Sequence, residues 1–190
     1  MYKRQALVFF PITYVFDDIL TEVYGFKVSR RIIWSALLCN IVVIGGTMIT
    51  VILPPDSNWH LQNAYQNIFL TTPRIFAASL LSYLVGEFFN AIMLAKLKIK
   101  TQGKHLWLRC IVSTALGLAL DTMIFAWVSF YHTLPNDTIW AIIFNMYFLK
   151  LGYEVIALPL TYWLCGYLKR KDHVDHYDTN TRFNPFSWKI

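Results

Sequence analysis

Charge is what this sequence has little of. Only 15% of its 190 residues are Asp, Glu, Lys or Arg, where a soluble domain carries about a quarter. That excludes an ordinary soluble enzyme. Cysteine is scarce too. Cys39, Cys110 and Cys165 all sit in apolar runs, odd in number and without a CxxC or Cys/His spacing. Neither a disulfide framework nor a zinc site is expected. There is no GxxxxGK[ST] loop, so ATP is not bound that way, and no GxSxG, HExxH or GxGxxG string. Nothing resembles a nucleophile–base pair. The chain is read as no enzyme, with no cofactor and no resident metal. His173 and His176 stand near Asp175 and Asp178, but a solvated tail accounts for them better than a metal does.

What the sequence has is grease. Apolar residues make up 56% and aromatics 17%, and the mean hydropathy is +0.44. A spanning helix needs about 20 mostly apolar residues. Five segments qualify wholly or in part: A at roughly 6–24, B at 32–53, C at 73–97, D at 108–131 and E at 138–168. They predict an all-α, polytopic membrane helix bundle over residues 6–169, with five spans in this chain. Residues 170–190 are expected to be a weakly ordered cytoplasmic tail. Pro54 and Pro55 close segment B. Thr71, Thr72 and Pro73 open segment C as a cap followed by a first-turn proline. Segment E is too long for one straight span, and Gly152 and Pro159 lie inside it. A kink, or a short interfacial helix leading into the span, is expected. Leu61, Tyr65, Ile68 and Phe69 fall at helical spacing between B and C, which predicts a short amphipathic helix on the membrane surface.

The net charge of +6 is a loop effect. Thirteen of the seventeen basic residues lie in the A–B loop, the C–D loop and the segment after E. The B–C and D–E loops hold none. Positive loops stay inside, so the C-terminus is expected in the cytoplasm. No nucleic acid is needed to explain the basic pI. This orientation puts the start of A outside. Residues 1–5 (MYKRQ) are read as foreign sequence resembling a translated transposon end, and six spans are expected in a full-length parent.

Six of the eleven carboxylates fall within these segments: Asp17, Asp18, Glu22, Glu87, Asp121 and Glu154, with Lys150 beside them. Each costs about 2.5–3.5 kcal/mol at a helix centre, so they should face a shared interior. Glu87 and Asn90 share a helix face. A carboxylate beside a carboxamide suits the edge of a purine-like base. The structural alternative is a protonated Glu87 bonded to a neighbouring helix. Ser113, Gly117 and Asp121 predict close helix packing that ends at a polar site. Lys150 and Glu154 are four apart and could pair with each other. Asn145 and Glu154 lie on opposite faces unless the helix breaks near Gly152. Asp18 and Glu22 repel at i, i+4. They need a proton, a cation or a donor-rich ligand, unless water and Lys27 or Arg30 satisfy them.

Eight strings in order resemble one family. They are FPITY (10–14), DILTEVYG (18–25), PRI (73–75), YLVGEFFN (83–90), LAKLK (94–98), GKHLWLR (103–109), YE with PLTY (153–162) and FNPF (183–186). Together they are similar to the queuosine precursor transporters, or vitamin uptake transporter family, over essentially residues 6–188. The first membrane helix of the family pattern is not matched. The resemblance implies import of the 7-deazaguanines preQ0 and preQ1 across a bacterial inner membrane for queuosine modification of tRNA. It implies substrate contacts at Glu87 and Asn90, and gating or binding by Asp18, Thr21 and Glu22. The charge argument adds Asp121, Asn145, Lys150 and Glu154. The expected partners are a deazapurine and the lipid bilayer, with a homodimer left open. The competing reading is the substrate-binding membrane subunit of an energy-coupling, ATP-driven vitamin importer.

Overall fold

Gly25 is the only residue separating the first two helices. Its φ is +83°, a region that costs glycine least. A computed structural model describes residues 10–69 and 73–187, without the side chains of Phe10, Pro11 and Pro73. The expectations for residues 1–5 and for a cap at Thr71 and Thr72 lie outside the described residues. The helices are α1 (Phe10–Tyr24), α2 (Phe26–Ile52), α3 (Gln62–Phe69), α4 (Pro73–Lys100), α5 (Leu106–Phe130) and α6 (Asn136–Asp172). Four of them, α2, α4, α5 and α6, are long and apolar enough to cross a membrane. The chain is an all-α, multi-pass membrane bundle. The described part of α1 has 15 residues, about 22 Å of helix at 1.5 Å per residue. The rest of segment A falls outside the described residues.

Two boundaries differ from expectation. α2 begins at Phe26 rather than Ile32, because Lys27, Arg30 and Arg31 continue the helix beyond the apolar run. α6 is one helix of 37 residues with Pro159 inside it. It would be about 55 Å long, so it overruns a hydrocarbon layer of ~30 Å without a separate interfacial helix. A proline in a helix forfeits one backbone bond, and this helix continues through that loss. α3 forms where the amphipathic spacing predicts it. Tyr65 touches Thr50 of α2 through its hydroxyl at 3.0 Å, while Leu61 and Ile68 stay exposed.

α4 and α5 form the tightest pair. Ala78, Ser82, Gly86 and Asn90 repeat every four residues on the buried face of α4. Ser113, Gly117 and Asp121 do the same on α5. A Cβ on Gly117 would stand 2.9 Å from Asn90 Cβ, and one on Gly86 would stand 2.8 Å from Asp121 Cβ. Small residues let the backbones approach, and they bring Asn90 and Asp121 to the same seam. α1 packs on α6 through Val15, Ile19, Val23 and Cys165. Phe26 and Ile33 of α2 pack on Phe88, Ala91 and Ala95 of α4. The outer half of α2 points apolar side chains away from the bundle, including Val42, Val43 and Ile49, as a lipid-facing helix does.

Candidate functional site

Four helices converge on a closed acidic group. Asp17 and Asp18 come from α1, Glu87 and Asn90 from α4, Thr114 and Asp121 from α5, and Lys150 and Glu154 from α6. Each is buried. Asn90 is the fork: its Nδ2 donates to Asp18 Oδ1 at 2.9 Å and to Asp17 Oδ2 at 3.3 Å. Thr114 Oγ1 lies 3.4 Å from Asp18 Oδ2 and 3.5 Å from Asn90 Oδ1. Ser29, across the Gly25 turn, donates to Asp17 Oδ1 at 2.6 Å. Glu87 lies within electrostatic reach of Asp17, Asp121 and Asp18. Tyr14 stands beside it, its hydroxyl 3.4 Å from where a Gly86 Cβ would be. Glu154 faces Asp18.

Lys150 donates to Asp121 Oδ2 at 2.6 Å, which puts one cation among five carboxyl groups. Acceptors therefore outnumber donors. Among the described residues, Glu87 Oε2 and Glu154 Oε1 have no hydrogen-bond partner, and such buried atoms are costly to leave unpaired. Chemically, the group can accept several N–H donors on one side and offer a lysine to an acceptor on the other.

A second charged cluster lies one turn along α1. The Glu22 side chain is 0% exposed. Its Oε1 receives Arg109 of α5 at 2.8 Å and Lys169 of α6 at 2.7 Å, and Lys98 of α4 stands at 3.8 Å. Lys98 Nζ also donates to the Glu22 carbonyl. The segment after α6 closes over this cluster. His173 takes a left-handed conformation, φ 54°, and ends the helix. Asp175 then meets Lys98 at 2.6 Å and Lys169 at 2.9 Å. Burial pushes the Asp175 carboxyl up, but the two lysines outweigh it and hold it below its ordinary value.

Of the residues singled out from the sequence, the structure brings Asp18, Glu87, Asn90, Asp121, Lys150 and Glu154 together. Asn145 does not join them. It is exposed on the opposite side of α6 and donates to the Ala141 carbonyl at 2.8 Å, because the helix does not break at Gly152. Lys150, which could have paired with Glu154 on its own helix, reaches Asp121 on α5. Glu22 is neutralised by the chain's own distant cations, not by Lys27 or Arg30. Arg30 instead donates to the Asn184 carbonyl at 3.1 Å. Thr21 is buried between the two clusters, and its hydroxyl has no partner among the described residues. The described residues of the tail expected to be weakly ordered, up to Ser187, pack on the bundle, with Phe183 against Phe26 at 5.4 Å. Sequence reasoning passed over Asp17, Tyr14 and Thr114 as site residues. Thr114 had a readable signal, seven residues before Asp121 and hence on its face.

The family described as "Putative vitamin uptake transporter" matches residues 5–164. The chain belongs to the vitamin uptake transporter family. It is 31% identical over 149 residues to the "Probable queuosine precursor transporter" of Bacillus subtilis (strain 168), covering 76% of this chain and 64% of that protein. It is 23% identical over 124 residues to the "Queuosine precursor transporter" of Escherichia coli (strain K12), covering 65% and 53%. The corresponding Haemophilus influenzae protein, also named "Probable queuosine precursor transporter", is 24% identical over 65% of this chain and 50% of its own length. The chain thus spans between half and two thirds of these relatives. No solved structure matches it. Family membership gives the acidic group a context: it sits inside a chain of a transporter family.

Proposed function

We propose that this chain builds the substrate path of a carrier that brings a queuosine precursor, preQ0 or preQ1, into a bacterial cytoplasm by alternating access. The observation that carries the reading is the closed group of Asp18, Glu87, Asn90, Asp121, Lys150 and Glu154, drawn from four helices. A 7-deazaguanine presents N–H donors along one edge beside an oxo acceptor. Glu87 and Glu154 hold buried carboxyl oxygens, unpartnered among the described residues, for the donors, and Lys150 supplies a donor for the oxo group. The ammonium of preQ1 would offset the surplus of negative charge. The names of the relatives support the ligand class. The basic loops support an orientation with the C-terminus in the cytoplasm.

Uptake of labelled preQ1 and preQ0 by cells that lack their own route tests this. Cells expressing the chain without an added ATPase should accumulate label above empty cells. Glu87→Gln should lower the initial rate about tenfold, the effect of losing one charge-assisted hydrogen bond, at an unchanged membrane level of protein. Equal uptake by wild type and Glu87→Gln removes Glu87 from the path. No accumulation above empty cells sinks the carrier reading.

A further inference from the structure

The segment after α6 does two jobs that α1 and α2 leave undone. A helix end strands backbone groups that need partners, and Gly25 offers α2 no side-chain cap. Asp178 Oδ2 accepts the Phe26 N–H at 2.8 Å. Two residues earlier, the His176 N–H donates to the Val23 carbonyl at 3.0 Å. The segment therefore caps the end of α1 and the start of α2 together, and pins the single-residue turn between them from outside. A Cβ on Gly25 would collide with the His176 ring, so the fit at the turn is close.

The same segment reaches the other helices. Lys98 of α4 donates to the His176 carbonyl at 2.8 Å and pairs with Asp175. Lys98 and Lys169 each touch both Asp175 and Glu22. Trp34 of α2 donates to the Pro185 carbonyl at 2.9 Å. Tyr177 covers Gly103, in the turn between α4 and α5. The charge links are partly solvated: the Asp175 side chain is 43% exposed. Lys98 and Glu22, on the inner side of the links, are 3% and 0% exposed, so Asp175 is the partner that water reaches. Directly beyond them lies the stretch of α1 that carries Asp17, Asp18 and Glu22.

We propose that residues 173–187 are a latch that holds the basic end of the bundle shut, and that α1 moves about Gly25 to open the acidic group to that side when the latch lifts. The structure is then the closed state. The consequence for transport rests on the carrier reading; the opening itself does not.

The chain's own cysteines report on this. Cys110 and Cys165 are buried at α1, at 0% and 2% exposure, and Cys39 is exposed. In a Cys39→Ala background, open membrane fragments are treated with a charged maleimide. Asp175→Asn should raise the labelling rate of Cys110 and Cys165 about tenfold, a one-decade shift toward the open population. Asp175→Glu, which keeps the charge, should stay near the unaltered rate. In a second form, with the native cysteines replaced by alanine, Arg31→Cys and Ser187→Cys place thiols on one small surface cavity. Oxidation should stop uptake of labelled preQ1, and reduction should restore it. Unchanged labelling in Asp175→Asn overturns the latch, and so does uptake indifferent to a formed bond. If no form takes up label while labelling still follows Asp175, the latch stands and the carrier reading falls.

Discussion

Glu22 shows what a single buried carboxylate can organise. It belongs to α1, and the cations that close on it come from α4, α5 and α6. Breaking a buried pair by removing one partner leaves charge uncompensated and costs about 3–5 kcal/mol. Glu22→Gln should therefore lower the melting temperature in detergent clearly. Adding Arg109→Met to it should cost much less than the two single changes summed, since the second removes a charge already stranded. Additive losses would show that the pair is not coupled. The need for this cluster was legible in the sequence, because Asp18 and Glu22 repel at i, i+4 and require neutralising groups. Its partners were not. Lys98, Arg109 and Lys169 are 76, 87 and 147 residues away, and no local spacing announces a tertiary ion pair. Lys27 and Arg30 were the near candidates, and α2 carries them away from Glu22. Asp17 was missed for the same reason: its partners Ser29 and Asn90 lie beyond a turn and on another helix.

At the scale of elements, small residues set how close α4 and α5 can come, and that distance places Asn90 and Asp121. Gly117→Ala puts a methyl 2.9 Å from both Asn90 Cβ and the Gly86 carbonyl. The helices must part, at about 1–3 kcal/mol for an overpacked seam. Gly46, on the open face of α2, has nothing within 4 Å of an added Cβ. Gly46→Ala should be neutral or stabilise by about 0.5–1 kcal/mol through helix propensity. Thermal unfolding of the two variants side by side checks this contrast. If both behave alike, packing at the seam does not decide the geometry. The spacing of Ser113, Gly117 and Asp121 made this seam readable from the sequence. The side chain on α4 that meets each of them did not follow from spacing, because the register between two helices is a tertiary choice. Likewise, the opposite faces of Asn145 and Glu154 followed from 3.6 residues per turn. Whether α6 would break and reunite them depended on packing.

For the whole molecule, the two ends of the bundle differ in charge. The ends of α1, α4 and α6 meet at Glu22, together with the starts of α2 and α5, and the basic loops gather there. At the opposite end Arg74 is spent on the carbonyls of Val128 at 2.5 Å and Tyr131 at 2.7 Å. Three of the cations at the basic end are tied to Glu22, so they are weaker guides to topology than a count of loop charges implies. Lys27, Arg31, Lys96, Lys100, Lys104, Arg170, Lys171 and Arg182 remain at that end, and loop lysines and arginines near helix ends set orientation. A fluorescent protein fused after Ile190, which folds only in the cytoplasm, should therefore glow. Alkaline phosphatase inserted near Ser57, in the loop between α2 and α3, should be active outside. Replacing Lys96, Lys100 and Lys104 with glutamine leaves Glu22 and its ion-pair partners in place. If orientation rests on loop charge, that triple change should produce a mixed population in which some phosphatase activity is lost. If both reporters keep their full signals, the basic end is fixed inside by something other than those lysines. If the signals are exchanged in the unaltered chain, the latch faces the outside, and the gate it forms would control entry of cargo instead of release.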